Sequence, residues 1–123
     1  MKFVLDNNIN GYAIQRYDVG QITIGEKIYR QSLILLPNQL IADWPPQSVD
    51  DLATSDFQQL AELGPEIVLL GTGRLQRFPN ISLAQPLMQQ RIGLEVMDTA
   101  AACRTYNILA AERRRVAAGL FMI

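Results

Sequence analysis

Residue types that could bind an anion are concentrated in two segments of the second half of the chain. In the first segment, Gly71, Thr72, Gly73 and Arg74 follow an apolar run, and Arg77 comes shortly after them. Glycines allow the backbone to approach a ligand closely, and guanidinium groups bind carboxylates and phosphates. The same glycines could serve only as a turn that lets the chain leave a sheet, and both explanations stay open.

The second segment is the predicted start of a helix at Asp98 and Thr99, with Arg104 and Asn107 farther along the same helix. A helix N-terminus carries unpaired N–H groups that attract anions. The structural alternatives are that Asp98 or Thr99 caps the helix, which contributes about 1 kcal/mol, and that Arg104 pairs with Asp98 or Glu95 as a clamp. The candidate residues for binding a small anion are Gly71, Thr72, Gly73, Arg74, Arg77, Asp98, Thr99, Arg104 and Asn107.

Several kinds of chemistry are excluded by composition. The 123 residues contain no histidine and a single cysteine, Cys103. Histidine is the usual general base near neutral pH and the commonest metal ligand, so Ser-His-Asp catalysis, Cys-His catalysis and histidine-ligated zinc are excluded. The glycine loop lacks the remaining residues of a dinucleotide fingerprint or a phosphate-binding P-loop. We therefore assign no catalytic residue, metal or cofactor, and we expect Cys103 to be a buried, inert thiol.

Two strand-to-helix crossings should position these candidates. A continuous apolar run predicts a buried strand at residues 67–70, and further strands are predicted at 94–97 and 116–121; we expect the three to be neighbours in one sheet. Helices are predicted at 83–91, with Pro86 in the first turn and Gly93 as the stop, and from Thr99 to about Arg113. Open α/β sheets place ligand sites beyond the carboxyl ends of their strands, where both candidate segments should lie.

The first half of the chain is predicted to be mostly β-structure followed by a connector. Trp44, before two prolines, is either an exposed anchor for a partner or a lid over the sheet. In the connector, Ser48 should cap a single turn and Ser55 a helix over 56–63, which Gly64 and Pro65 end. The predicted strands cover residues 12–17, 21–24 and 27–30, the last two joined in a hairpin by Gly25 and Glu26, then 32–36 and 39–42.

Composition favours one domain over residues 1–123. The hydrophobic fraction is 49%, the net charge is −1 and the sequence pI is about 5.3, so no positive field for nucleic acid is expected. Residues 1–6 do not resemble a secretory signal, and no apolar run approaches the ~20 residues of a membrane span. A cytoplasmic location is the expectation.

We interpret the basic cluster at residues 113–115 as a solvated helix end. The expected core comprises Leu33, Leu35, Val68, Leu70, Val96, Tyr106, Leu109 and Leu120.

Residues 65–73, Phe78-Pro79, 93–107 and 109–118 together resemble a known family. It is the bacterial domain-of-unknown-function family shared with the mitochondrial complex I (NADH:ubiquinone oxidoreductase) assembly factor and the adipogenesis-associated domain protein. The resemblance implies a three-layered α/β fold with a mixed central sheet and no established enzymatic activity. It favours a non-catalytic interaction or assembly module with an unidentified protein partner. The alternative is a small-anion-binding protein or enzyme that uses the residues named above.

Overall fold

Two β-sheets and three α-helices form the part of the protein, residues 12–123, that this computed structural model describes. The expectation about residues 1–6 lies outside the described residues. Short 3₁₀ turns at Val49–Asp51 and Ile81–Ala84 join longer elements. In chain order these are β1 (Ile14–Asp18), β2 (Gln21–Ile24), β3 (Lys27–Tyr29), β4 (Leu33–Leu36), β5 (Gln39–Ile41), α1 (Thr54–Glu62), β6 (Ile67–Gly71), α2 (Gln85–Gln89), β7 (Gly93–Met97), α3 (Thr99–Ala111) and β8 (Val116–Leu120).

The larger sheet has five strands in the order β5-β4-β8-β6-β7. The pairs β5–β4 and β4–β8 are antiparallel, whereas the pairs β8–β6 and β6–β7 are parallel. In the parallel part, Leu69 of β6 lies opposite Ala118 on one side and Glu95 on the other. The sheet is therefore mixed. The predicted adjacency of the three strands in the second half of the chain is confirmed.

The smaller sheet has the order β1-β2-β3 and is antiparallel throughout. Its β2–β3 hairpin turns at Gly25, where φ is 63°, a value that glycine adopts without steric cost. The predicted hairpin is confirmed, and β1 adds a third strand to it. This sheet lies against one face of the larger sheet.

Apolar residues alternate along the central strands and supply a core on each face of the larger sheet. On one face, Val68 and Leu70 pack with Phe57 of α1 and with α2. On the other, Leu69 packs with Tyr106 of α3 and with the inner face of the smaller sheet. The structure is therefore three-layered, with the five-stranded sheet in the middle, and the predicted fold class is confirmed.

Six of the eight predicted core residues are fully buried, and the exceptions are Val96 and Leu109. Both exceptions are half-buried and still pack against a core. Val96 lies on β7, an edge strand with a neighbour on one side only, and Leu109 lies in the last turns of α3. Apolar character alone could not distinguish these peripheral positions from the centre of the sheet.

Trp44 is a lid over the sheet and not an exposed anchor, since none of its surface is exposed. Its ring stacks on Phe121 at 5.5 Å between centroids, with the planes 7° apart. A Cβ added to Gly119 would lie 2.9 Å from two atoms of the indole ring. Only glycine at this position in β8 lets the indole lie flat on the strand.

Two predicted caps in the connector are wrong. Ser55 lies inside α1, which begins after Ala53, and the Asp56 carboxylate accepts the Ala53 N–H at 2.9 Å. Ser48 precedes its 3₁₀ turn without a side-chain capping bond. In both cases a neighbouring backbone carbonyl or acidic side chain makes the hydrogen bonds at the start of the helix, and the serine hydroxyl makes none of them.

Three helix ends also differ from the predictions. Arg91, with φ of 58°, ends α2, and Gly93 is the first residue of β7. Residues 81–84 form a 3₁₀ turn, so α2 is shorter than predicted, although Pro86 lies in its first turn as expected. The last helix ends at Ala111, and Arg113 adopts φ of 62°. None of the helices in residues 12–123 is long and apolar enough to cross a bilayer.

Candidate functional site

The two candidate segments meet at the carboxyl ends of β6 and β7, where the parallel topology places them. The Gly73 N–H donates to Thr99 Oγ1 at 2.8 Å, and the Thr99 N–H donates to the Gly73 carbonyl at 2.9 Å. The glycine loop and the start of α3 are thus joined by reciprocal hydrogen bonds. These bonds occupy N–H groups that an anion at this place would need.

The Thr99 hydroxyl is the centre of this junction. Its side chain is fully buried, and its hydroxyl donates to the Phe121 carbonyl at 2.7 Å while accepting the Gly73 bond. A Cβ on Gly71 would lie 2.9 Å from Leu120 Cδ2 and 3.0 Å from Thr99 Oγ1. The glycine at position 71 is therefore explained by close packing of α3 on the sheet, a structural reason that needs neither a ligand nor a turn at this residue.

The rest of the loop bonds to itself and to β7. Thr72 donates its N–H to the Met97 carbonyl at 2.9 Å and its hydroxyl to the Leu75 carbonyl at 2.6 Å. The same hydroxyl accepts the Arg77 N–H at 3.1 Å. Gln76, which sequence reasoning passed over, donates its amide to the Val96 carbonyl at 3.0 Å. The loop lies over the carboxyl end of β7 as an ordered cover.

Asp98 is the N-cap of α3, since its Oδ1 accepts the Ala101 N–H at 2.8 Å. The predicted capping role of Asp98 is confirmed. Thr99 is the first helical residue and does not cap, because its hydroxyl points into the buried junction.

The arginines do not converge on the crevice, the name we give to the junction of residues 71–74 with the start of α3 at the carboxyl ends of β6 and β7. Arg77 forms an ion pair with Asp50 at 2.7 Å, and Arg74 is exposed without an ion pair to any residue of the described range 12–123. Arg104 donates to the Tyr17 hydroxyl of β1 at 2.8 Å, and this hydrogen bond raises the pKa of Arg104. The predicted clamp of Arg104 to a carboxylate is therefore wrong, since a tyrosine hydroxyl takes that place.

Asn107 is directed at β1 and away from the crevice. Its Oδ1 accepts the Ile14 N–H at 2.9 Å, and its Nδ2 donates to the Ile14 carbonyl at 2.8 Å. The amide thus pairs with the strand as another strand would, and it holds α3 against the smaller sheet. Of the candidates, residues 71–74, Asp98 and Thr99 are brought together, whereas Arg77, Arg104 and Asn107 are engaged elsewhere. Anion binding at the crevice stays a prediction.

Cys103 should be chemically silent in the folded protein. Its side chain is buried in the core under α3, and burial raises the pKa of the thiol to about 12, so it remains protonated at pH 8. We expect no reaction with Ellman's reagent at pH 8 under native conditions and one equivalent of reaction in denaturant. Rapid labelling of the native protein, at the rate of a small free thiol, would contradict this placement.

A surface feature that the sequence analysis did not single out lies in the β6–β7 connection, residues 72–92. Half of the exposed large apolar side chains in the described part of the chain belong to this connection. We call them the apolar connection residues: Leu75 (66% exposed), Phe78 (72%), Ile81 (62%) and Met88 (52%). The signal available in the sequence was the density of Leu75, Phe78 and Ile81 in a segment where neither a strand nor a helix is predicted.

The adjacent strand β7 forms an open edge of the five-stranded sheet. The Gly93 N–H bonds inward to the Glu66 carbonyl at 3.1 Å, so by strand alternation the backbone groups of Leu94 face outward. Among the outward-facing backbone groups of β7, the Val96 carbonyl accepts a side-chain hydrogen bond from Gln76. No group of three or more Cys, Asp or Glu side chains within residues 12–123 is arranged to hold a metal ion.

Comparisons with known proteins relate this fold to a family without an assigned function. The family model described as "Protein of unknown function (DUF498/DUF598)" matches residues 14–121. The "13 kDa major membrane protein" of Francisella tularensis is 31% identical over 77% of this chain and 76% of its own. Assembly factor 3 of the NADH dehydrogenase [ubiquinone] 1 alpha subcomplex from Xenopus tropicalis is 35% identical over 82% of this chain. The match spans 55% of that factor, about half its length. A crystal structure of a Bordetella parapertussis protein superposes with a TM-score of 0.85 at 38% identity, covering 91% of this chain and 96% of that one.

Proposed function

The chain belongs to the family of unknown function DUF498/DUF598, and from that membership we propose that it is a non-catalytic interaction module that assists the assembly of a larger protein complex. Relatives from Xenopus tropicalis and Mus musculus are named as assembly factors of NADH dehydrogenase. Their names support a role in assembly for this chain. We further propose that it acts in the cytoplasm.

The observation that carries the proposal is the exposure of the apolar connection residues. Leu75 and Phe78 keep two thirds or more of their surface in solvent, although burying such side chains contributes about 1.5–3 kcal/mol each. Apolar side chains that are concentrated on one exposed segment mark interaction sites more often than scattered ones do. Binding of a partner that covers these residues would be favoured by the burial of their exposed apolar surface.

The open edge of β7 supplies directional contacts beside this apolar segment. An exposed edge strand can pair with an extended segment of another protein, whose main chain provides affinity and whose side chains provide specificity. The Leu94 backbone faces outward, and Gln76 places the connection over the end of the same strand. The partner that fits is an extended segment with apolar side chains.

The polar groups of the crevice support a non-catalytic role. Asp98 is used as a helix cap, and the Thr99 hydroxyl bonds to two backbone groups. A general base or nucleophile needs a reactive proton or lone pair directed at a substrate. These side chains direct theirs at the protein itself.

The test compares two double variants of the full chain. Leu75→Ser with Phe78→Ser removes apolar surface from the connection, and Val19→Ser with Ile108→Ser removes exposed apolar surface elsewhere. Wild type and both variants are used for affinity purification from the native cell, and retained proteins are quantified by mass spectrometry. A genuine partner should be retained by wild type and control, and its purified form should bind the connection variant at least about tenfold more weakly.

Equal binding of a purified partner by both variants would reject this surface as the contact. Retention of no specific protein by wild type would reject the interaction module. Size-exclusion chromatography with light scattering identifies a second copy of this chain as the occupant, a result that would replace the assembly role by self-association.

A further inference from the structure

A cavity of about 800 Å³ opens at the end of the sheet opposite to the crevice. It lies at the amino ends of β6 and β8 and beside the last turn of α3, so it is separate from the β6–β7 connection. This volume falls within the range of about 300–1,000 Å³ that is usual for small-molecule sites.

The walls of the cavity are largely apolar. Leu36 comes from the end of β4, Leu63 from the residue after α1, and Val116 from the start of β8. Pro65 and Ala110 add further apolar surface to the lining. Such walls would accept a hydrocarbon body and not a fully hydrated ion.

All charged residues of the lining are cationic, beside the neutral polar Tyr12, Asn38 and Asn107. Arg113, Arg114 and Arg115 line the cavity, and no aspartate or glutamate does so among residues 12–123. Glu66, next to the lining, bonds to Arg114 at 3.1 Å and to the Arg115 N–H at 3.0 Å, and these bonds lower the pKa of Glu66. One guanidinium is therefore already neutralised by a carboxylate.

The other two guanidinium groups, those of Arg113 and Arg115, form no ion pair with any residue of the described range 12–123. They concentrate positive charge beside an apolar cavity in a chain whose net charge is −1. A guanidinium group recognises carboxylates through paired N–H donors, and Arg114 already binds Glu66 in this way.

We propose that this cavity binds a monomeric amphipathic carboxylate, with its hydrocarbon chain against Leu36, Leu63 and Pro65 and its carboxylate against Arg113 and Arg115. The apolar walls account for affinity and the two guanidinium groups for the choice of an anion. The site is independent of the proposed protein contact, because none of its lining residues belongs to residues 72–92.

Titration of the full chain with four probes tests the chemistry of the ligand. Decanoate, below its micelle-forming concentration, should bind with saturation by calorimetry and shift the amide resonances of Leu63 and Val116. Decanol has a matched chain without charge and should bind at least about tenfold more weakly, since a charge-assisted bond is lost. Acetate should not bind detectably, and vesicles of phosphatidylglycerol should not retain the protein.

Paired variants test the position of the charge. Arg113→Gln with Arg115→Gln should weaken decanoate binding by about tenfold or more. Arg30→Gln with Arg91→Gln removes two exposed arginines that do not line the cavity and should leave binding unchanged. Equal binding of decanol and decanoate, an unchanged affinity in the first variant, or retention by vesicles alone would each overturn the proposal.

Discussion

Replacing Trp44 by alanine should lower the free energy of unfolding by about 3–5 kcal/mol, the usual loss for truncating a buried large aromatic residue. The indole is fully buried and stacks on Phe121, and its other contacts include the bare backbone of Gly119. Glycine at position 119 has no side chain that could fill the space left by the indole. Urea denaturation followed by circular dichroism measures the loss.

Trp44→Phe is the matched control for this prediction. Phenylalanine keeps a ring for stacking on Phe121 and removes the indole N–H, which finds no acceptor among the described residues. We expect less than half of the loss seen in the alanine variant. A loss below about 1 kcal/mol for Trp44→Ala would show that the indole is not part of the core.

Replacing Thr99 by valine should lower the free energy of unfolding by about 2–4 kcal/mol, because two buried backbone groups lose their partner at once. Valine keeps the shape of threonine but cannot accept from Gly73 N–H or donate to the Phe121 carbonyl. The junction between the glycine loop, α3 and the end of β8 would then contain an unpaired donor and acceptor in a buried place. Chemical denaturation at constant pH measures the change.

Thr99→Ser separates the hydroxyl from the methyl group. Serine retains both hydrogen bonds and loses one buried methyl group, so it should cost about 1 kcal/mol. Asp98→Ala, which removes the helix cap, should likewise cost about 1 kcal/mol. A valine variant no less stable than the serine variant would mean that the Thr99 hydroxyl does not hold the junction.

Local patterns were sufficient to predict most elements of the fold. The continuous apolar run that became β6 is short and flanked by turn residues, which favours a buried strand over a helix. Gly25 in the hairpin and Asp98 at the start of α3 act within a few residues of themselves. The caps at Ser48 and Ser55 were predicted incorrectly because several nearby groups compete for the same backbone N–H.

The sequence predicted that the two candidate segments would meet, but it did not predict the partners of their arginine side chains. Parallel topology brings the ends of β6 and β7 together, so the meeting of Gly73 with Thr99 follows from the order of elements. The direction of each arginine side chain does not follow from it. Arg77 and Arg104 each lie near the crevice in sequence, yet one pairs with Asp50 and the other with Tyr17.

The sequence by itself determined the strands, the helices and the family, because these depend on side-chain periodicity, turn residues and capping groups close together along the chain. Only the tertiary structure decided the use of polar side chains. Asn107 bonds to Ile14 from 93 residues away and Arg104 to Tyr17 from 87 residues away. Asn107 is half-buried, and it takes the partner that folding brings near because leaving a buried polar group unpaired costs about 1–3 kcal/mol. Arg104 is exposed, and its partner is set by the packing of α3 beside β1. The exposure of Phe78 and the burial of Trp44 were decided in the same way, by which surfaces the three layers cover.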